Sequence, residues 1–331
     1  MRKLAKKNLA LLNQLSLPFD LIPFSLSQIL HFEIFPCDLY SFEEQTFKLH
    51  FKENSLIPKK DLAVATILEK PSFFIQNEEE QKIQDKNREL LRLSFRSLSV
   101  SPGMSSCQKA LNLLCLNFSS LYFNPLDIEG LNLQYQCLKI LLDYFNEHPT
   151  LLAEALKNFE KQRHPYLFAQ PMISSLMALL FLQKLKIIGK QSEIIVMASF
   201  FKDIGMGFFP KHWFLEKRIL SSEELYSLQE HPQHSCNVLH GKIPLARIGL
   251  EIIKFHHCFT NQEAKRSSIV GLETAIVSMM DIYTAMISSR PYRKAYSPYE
   301  ALSYLKEIFQ DPFPLEFKYF VLMVNSAFLK K

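Results

Sequence analysis

Arg290-Pro291-Tyr292-Arg293-Lys294-Ala295-Tyr296-Ser297-Pro298-Tyr299-Glu300 joins two helical patterns, and its reading decides the fold. On its N-terminal side Leu272, Ile276, Met279 and Tyr283 recur at helical spacing, opposite a polar face of Thr274, Ser278, Asp281 and Ser288. On its C-terminal side Ser297 is a capping residue, Pro298 suits the first turn, and Glu300 completes a capping box. By itself the segment is a turn that fixes the entry of the next helix, and the polar face of the preceding one would look the same if it were merely solvated.

The same texture extends backwards. Apolar residues keep helical spacing through Leu111, Leu114, Leu131, Leu138, Leu141 and Leu142, and further helix starts are marked by Ser192 before Glu193 and by Ser221 with Glu224. From Asn77 a charged stretch, Glu78-Glu79-Glu80-Gln81-Lys82, opens a helix reaching about Leu98, where Ser101-Pro102-Gly103 breaks it. Earlier residues differ: Thr46 to Phe51 alternates with period two, and Leu62 to Leu68 and Ser72 to Ile75 are short apolar runs. The expected organisation is a small α/β module over residues 1–80, a helical connector over 81–124 and a helical bundle over 125–331, mostly α as a whole.

Composition supports helix. Among 331 residues only 8 are glycine, which disfavours a turn-rich sandwich or a doubly wound sheet with glycine loops. A hydrophobic content of 48% with 21% charged residues is that of a packed globular chain. The net charge of +5 is spread without a basic block, which argues against a nucleic-acid polymer as partner and leaves small anions open. Cys37, Cys107, Cys115, Cys137, Cys236 and Cys258 form no C-x-x-C pair and read as core thiols in a reducing compartment. The basic start, Met1 to Lys7, is followed by Asn13, Gln14 and Asp20 rather than an apolar run with a cleavage site. Met172 to Ile188 carries Ser174, Ser175, Gln183, Lys184 and Lys186, too many polar groups for a membrane span. The expected location is the cytoplasm.

Four further segments carry candidate chemistry: Lys202-Asp203-Ile204-Gly205, Glu230-His231-Pro232, Phe255-His256-His257 and Met280-Asp281-Ile282-Tyr283. Taken singly, each has a plain structural explanation, such as a helix-end carboxylate or the wet end of an amphipathic helix. Their order, closed by Arg290-Pro291-Tyr292-Arg293-Lys294-Ala295, resembles the HD-GYP family, whose pattern runs HDIGK, HP, HH, a GYP loop, an Asp-bearing helix and RPYRKA. The resemblance covers about residues 125–331, including His148-Pro149 and Tyr166-Leu167.

It implies a helical fold and a metal-dependent phosphodiesterase acting on cyclic di-GMP, with two or three ions held by His and Asp ligands. Carried over position by position, Asp203, His231, His256, His257 and Asp281 match metal ligands, and Arg290 and Arg293 match residues that contact the dinucleotide phosphates. The departures are specific. Gln170 stands where the family has its early histidine, Lys202 replaces the His of the His-Asp pair, Met206 replaces the lysine after the glycine, and no Gly-Tyr-Pro follows His257. An ammonium donates no lone pair, and a +1 charge ~4 Å from a dication costs roughly 8 kcal/mol at an effective dielectric of about 20. Lys202 is therefore expected either to take the vacated place as a built-in cation, paired with Asp203 or Asp281, or to run its head out to solvent.

The expected cofactor is at most one transition metal ion, iron, manganese or zinc, or none. The expected function is signalling with weak or absent catalysis, through a bound cyclic dinucleotide such as cyclic di-GMP or through a protein partner met by the N-terminal module. Two rivals are an active metal-dependent cyclic di-GMP phosphodiesterase with a rearranged site, and an interaction scaffold resembling the HDOD domains.

Overall fold

A computed structural model describes residues 21–24, 32–43, 46–56, 73–162, 164, 166–210, 212–215, 218–260 and 271–326. The chain divides into two units, residues 1–90 and 91–331.

In the first unit, strands β1 (Leu21–Phe24), β2 (Leu39–Glu43), β3 (Thr46–Phe51) and β4 (Phe73–Gln76) form an antiparallel sheet in the order β1-β4-β2-β3. The period-two run is a strand over the same residues, Thr46–Phe51, and the run at Ser72 begins a strand at Phe73. Phe32, Phe35, Leu39, Phe73, Ile75 and Ile83 make its core, with Phe35 in edge contact with both Phe24 and Phe32. The apolar run Leu62 to Leu68 lies outside the described residues.

Helix α1 (Glu80–Val100) contains the division between the units. Helices α2 (Met104–Phe123), α3 (Ile128–Glu147), α4 (Pro149–Glu160), α5 (Tyr166–Leu185), α6 (Lys190–Phe201), α7 (His212–Leu215), α8 (Ser222–Leu228), α9 (His231–Leu239), α10 (Arg247–Phe255), α11 (Leu272–Ile287), α12 (Pro298–Phe309) and α13 (Pro314–Val324) follow. Helix α2 packs on α3, α4 and α5 and buries Leu111, Leu114 and Phe118.

Helix α5 is the axis, packing against α2, α4, α6, α11 and α13. It is apolar around its whole circumference because it is surrounded, and residues Met172–Leu182 are all buried. By length and composition alone it is the described helix able to cross a membrane, yet most of it is covered by other helices. Its serines are satisfied inside the bundle, Ser174 on the Ser199 hydroxyl at 2.8 Å and Ser175 on the Met172 carbonyl at 2.9 Å. The capping boxes at Ser221–Glu224 and Ser297–Glu300 both form. Ser192, by contrast, is no cap: α6 begins earlier, at Lys190, after Gly189 turns the chain with φ +69°, a conformation that costs glycine little. All six cysteines are free and buried.

Candidate metal centre and ligand cavity

Lys202 and Asp203 are delivered by the end of α6. Lys202 is still helical, and Asp203 precedes the tight turn Ile204–Phe208. Gly205 lets that turn lie directly on α9, since a Cβ there would sit 2.3 Å from the His231 carbonyl oxygen and 2.4 Å from the Ser235 nitrogen. The contact is fastened at both ends. The Gly205 amide donates to Ser235 Oγ at 2.8 Å, and that hydroxyl donates to the Lys202 carbonyl at 2.6 Å. In this way the Asp-Ile-Gly turn and the His-Pro helix start are brought together.

Asp203, His231, His256 and His257 each offer a ligand atom, and these atoms lie within 4.8 Å of one another. His231 opens α9 and His256 closes α10; both are buried. Each turns Nδ1 to a backbone carbonyl 2.6 Å away, that of Leu228 and that of Ile253 respectively. A carbonyl only accepts, so Nδ1 carries the proton, and in the neutral ring Nε2 presents a lone pair. Both Nε2 atoms lack a hydrogen-bond partner and face the same carboxylate oxygen, Asp203 Oδ1, at 3.3 and 3.5 Å. Lone pairs gathered around one point, with their far nitrogens fixed by carbonyls, are what a bound cation needs. From α11, the Ser278 hydroxyl donates to the His256 carbonyl and holds that turn. Burial, then the neighbouring His256, pushes the His257 imidazole down to about 3, which keeps it neutral and able to ligate.

The other half of the site is differently filled. Lys202 is fully buried, and its Nζ lies between the Oδ2 of Asp203, to which it donates, and the Oδ1 of Asp281 at 2.9 Å. The solvent-directed alternative for this side chain is thereby excluded. Burial disfavours the ammonium, but the two carboxylates outweigh it and hold Lys202 above the ordinary lysine range. In turn, burial would raise Asp203 and Asp281, and Lys202 reverses this and holds both below the usual carboxylate range. The polar face of α11 is not solvated at Thr274, Ser278 and Asp281, all of which are buried. Asp281 also accepts from the Gln170 amide at 2.9 Å, and its other oxygen lies 3.9 Å from His257 Nδ1. The residues therefore fit one ion, at Asp203, His231, His256 and His257, and do not fit a second beside Asp281, where an ammonium stands.

A cavity of about 490 Å³ opens onto Asp203, His231, His257 and Asp281. Arg290 and Met206 line it; Arg293 does not. The Arg293 guanidinium instead donates to the carbonyls of Ala285 at 2.6 Å, Met286 at 3.2 Å and Lys294 at 3.1 Å, tying down the end of α11, so a role for it on a ligand phosphate is not what this geometry provides. The cavity also contains Tyr292, from the Arg290–Ala295 motif, and Tyr122, Trp213 and Phe214, none of which has a motif around it to mark it in the sequence. Leu228, Ile253, Ser235 and Ser278, which orient the ligands, act through carbonyls or hydroxyls and were equally unmarked.

Compared with known proteins, residues 150–311 match the HD domain family. Over 121 residues the chain is 29% identical to the cyclic di-GMP phosphodiesterase response regulator RpfG of Xanthomonas campestris pv. campestris (strain 8004), a match covering 35% of this chain and 32% of that protein. The chain thus corresponds to about a third of that relative's length. Among solved structures, Bd1817, an HDG"Y"P protein from Bdellovibrio bacteriovorus, shares the fold with a TM-score of 0.64 at 15% identity, covering 94% of this chain and all of that one.

Proposed function

We propose that this chain, whose residues 150–311 match the HD domain family, is a signalling protein in which ligand binding has outlasted efficient hydrolysis. The observation that carries this reading is the position of Lys202 Nζ between Asp203 and Asp281. An ion bound by Asp203, His231, His256 and His257 would supply Lewis-acid polarisation of a phosphate oxygen. The protein itself supplies aimed Nε2 atoms on His231 and His256, a carboxylate held ionised by Lys202, and a cavity with one guanidinium. Missing is the second divalent centre that would share the charge on attacking and leaving oxygens, a loss worth roughly 10²-fold or more in rate.

The test is elemental analysis of the purified protein together with a cyclic di-GMP hydrolysis assay on the same preparation. One ion or fewer per chain, with turnover orders of magnitude below ~1 per second, is the expected result. Two tightly held ions, or turnover at that ordinary rate abolished by Asp203→Ala, would overturn the reading in favour of an active phosphodiesterase.

A further inference from the structure

The cavity is divided by chemistry. At its floor are Asp203, His231, Asp281 and Arg290, and at its mouth Ile219, Leu225, Tyr292 and Tyr304 are solvent-exposed while lining the same space. An apolar rim around a charged floor is the reverse of an ordinary protein surface, where apolar groups face inward.

Two donors at the floor have no partner. The Tyr122 hydroxyl is buried, unpaired and part of the cavity wall, and Arg290 leaves its Nε unsatisfied. The remaining Arg290 nitrogens donate to the Tyr292 hydroxyl at 2.9 Å and to the Gln170 side-chain oxygen Oε1 at 3.4 Å, and the guanidinium lies over the Tyr166 ring at 5.4 Å, so its direction is fixed. Burial followed by the nearby Asp203 raises Tyr122 well above the usual phenol range, which keeps it a donor. Two idle buried donors call for an acceptor from outside.

Charge sets how many anionic groups the floor can take. Lys202 and Arg290 offset Asp203 and Asp281, and among the described residues lining the cavity Arg290 is the sole arginine or lysine. With Asp203 and its histidines free of an ion, a ligand carrying two separated phosphates would leave the second against the apolar rim without a cation, where desolvation is uncompensated.

We propose that this cavity binds an amphiphile, with a single phosphate or carboxylate head at Arg290 and Tyr122 and an apolar body running out past Leu225, Ile219 and Tyr304. The proposal rests on the reading of this site as a ligand-binding one and specifies the ligand's class. Binding of the body scales with buried length, each methylene contributing roughly threefold in affinity.

Calorimetry with butyl phosphate, octyl phosphate below its micelle concentration, octanoate and cyclic di-GMP tests it. Octyl phosphate is expected to bind at least about tenfold more tightly than butyl phosphate, and comparison with octanoate identifies the preferred head. Arg290→Gln should weaken both eight-carbon ligands by about tenfold or more. Leu225→Asp, at an exposed rim position, should remove the advantage of the longer chain, so that octyl phosphate binds no more tightly than butyl phosphate. Absence of any chain-length effect, no binding of either eight-carbon ligand, or tighter binding of cyclic di-GMP than of octyl phosphate would each overturn the proposal. Metal content measured on the same samples keeps the two readings apart: one ion or fewer with no alkyl ligand bound defeats only the amphiphile, whereas two ions defeat the pseudoenzyme reading whatever binds.

Discussion

Lys202 Nζ stands 2.9 Å from Asp281 Oδ1 and also donates to Asp203, so the end of α6 and the middle of α11 are joined by an ion pair in which no part of the lysine side chain is exposed. The two carboxylates reach across this lysine from opposite elements, and each is buried. Such an arrangement is stable only while all its members remain. Its Coulomb gain is set against a large desolvation cost, so the loss of one partner is more damaging than the worth of the pair suggests.

Lys202→Met should accordingly lower stability by about 3–5 kcal/mol, the usual consequence of leaving buried charge uncompensated. Urea denaturation of wild type and variant measures it. A second readout is specific to charge: manganese should raise the melting temperature of the variant more than that of the wild type, because a cation from solution can take the vacated place. A loss below about 1 kcal/mol with no differential metal effect would mean that the lysine is not the charge partner described.

Glu160 gives a pH dependence remote from the site. At the end of α4 its carboxyl is pushed up to about 7 by burial, which Lys157 only partly offsets. Because the folded value lies above the unfolded one, the protonated form stabilises the fold: this contribution is complete below about 4.5 and is lost as pH rises through about 7. Glu160→Gln should therefore match wild type near pH 4.5 and exceed it at pH 8 by about 1–2 kcal/mol, a figure reduced for the partial exposure of the group. Thermal melts at the two pH values, showing equal differences at both, would remove Glu160 as the source.

What the sequence made legible was local or strongly patterned. The capping boxes at Ser221 and Ser297 need only four residues and form as read, and the order of Asp203, His231, His256 and Asp281 carried the resemblance and with it the bundle. The start of α6 was misread because a serine before a glutamate is a cap signal, while Gly189 with positive φ turns the chain three residues earlier. Two outcomes were open for Lys202, and for the polar face of α11, because helical periodicity shows which residues share a face and not what covers it. The tertiary contact between α6, α10 and α11 decides both. The cavity's aromatic walls from α2 and α7, Tyr122, Trp213 and Phe214, have no sequence signal of their own.

Arg290 and Arg293 separate in the structure although they share one motif. Arg293, spent on carbonyls at the end of α11 and lying over the Tyr296 ring at 4.9 Å, should cost about 1–3 kcal/mol of stability when changed to Ala, without a change in ligand affinity. Arg290→Ala should do the opposite, lowering affinity for a phosphate-bearing ligand tenfold to a hundredfold, and Arg290→Lys should rescue it only in part because an ammonium lacks the two-pronged geometry. Denaturation and calorimetry on the three variants compare them directly. Equal losses of affinity in Arg290→Ala and Arg293→Ala would show that both arginines reach the ligand.

The last prediction reverses the two substitutions that separate this site from the HD-GYP pattern it resembles. Gln170 and Lys202 both converge on Asp281, one through an amide at 2.9 Å and the other through its ammonium, so together they occupy the surroundings in which a second ion would need ligands. Replacing both by histidine exchanges an amide and a cation for two neutral nitrogen donors, and it frees Asp281 from its ion pair. The double variant Gln170→His with Lys202→His is expected to carry close to two ions per chain when purified with manganese or iron, against one or fewer in the wild type. Gln170→His alone should not, because the ammonium would remain to repel the ion by roughly 8 kcal/mol at ~4 Å and an effective dielectric of about 20. Elemental analysis of the single and double variants distinguishes the contributions, with circular dichroism confirming that both are folded. A double variant that is folded and still holds no more metal than the wild type would show that the second site is limited by something other than Lys202 and Gln170, and the loop after His257, where no Gly-Tyr-Pro is present, would be the next determinant to change.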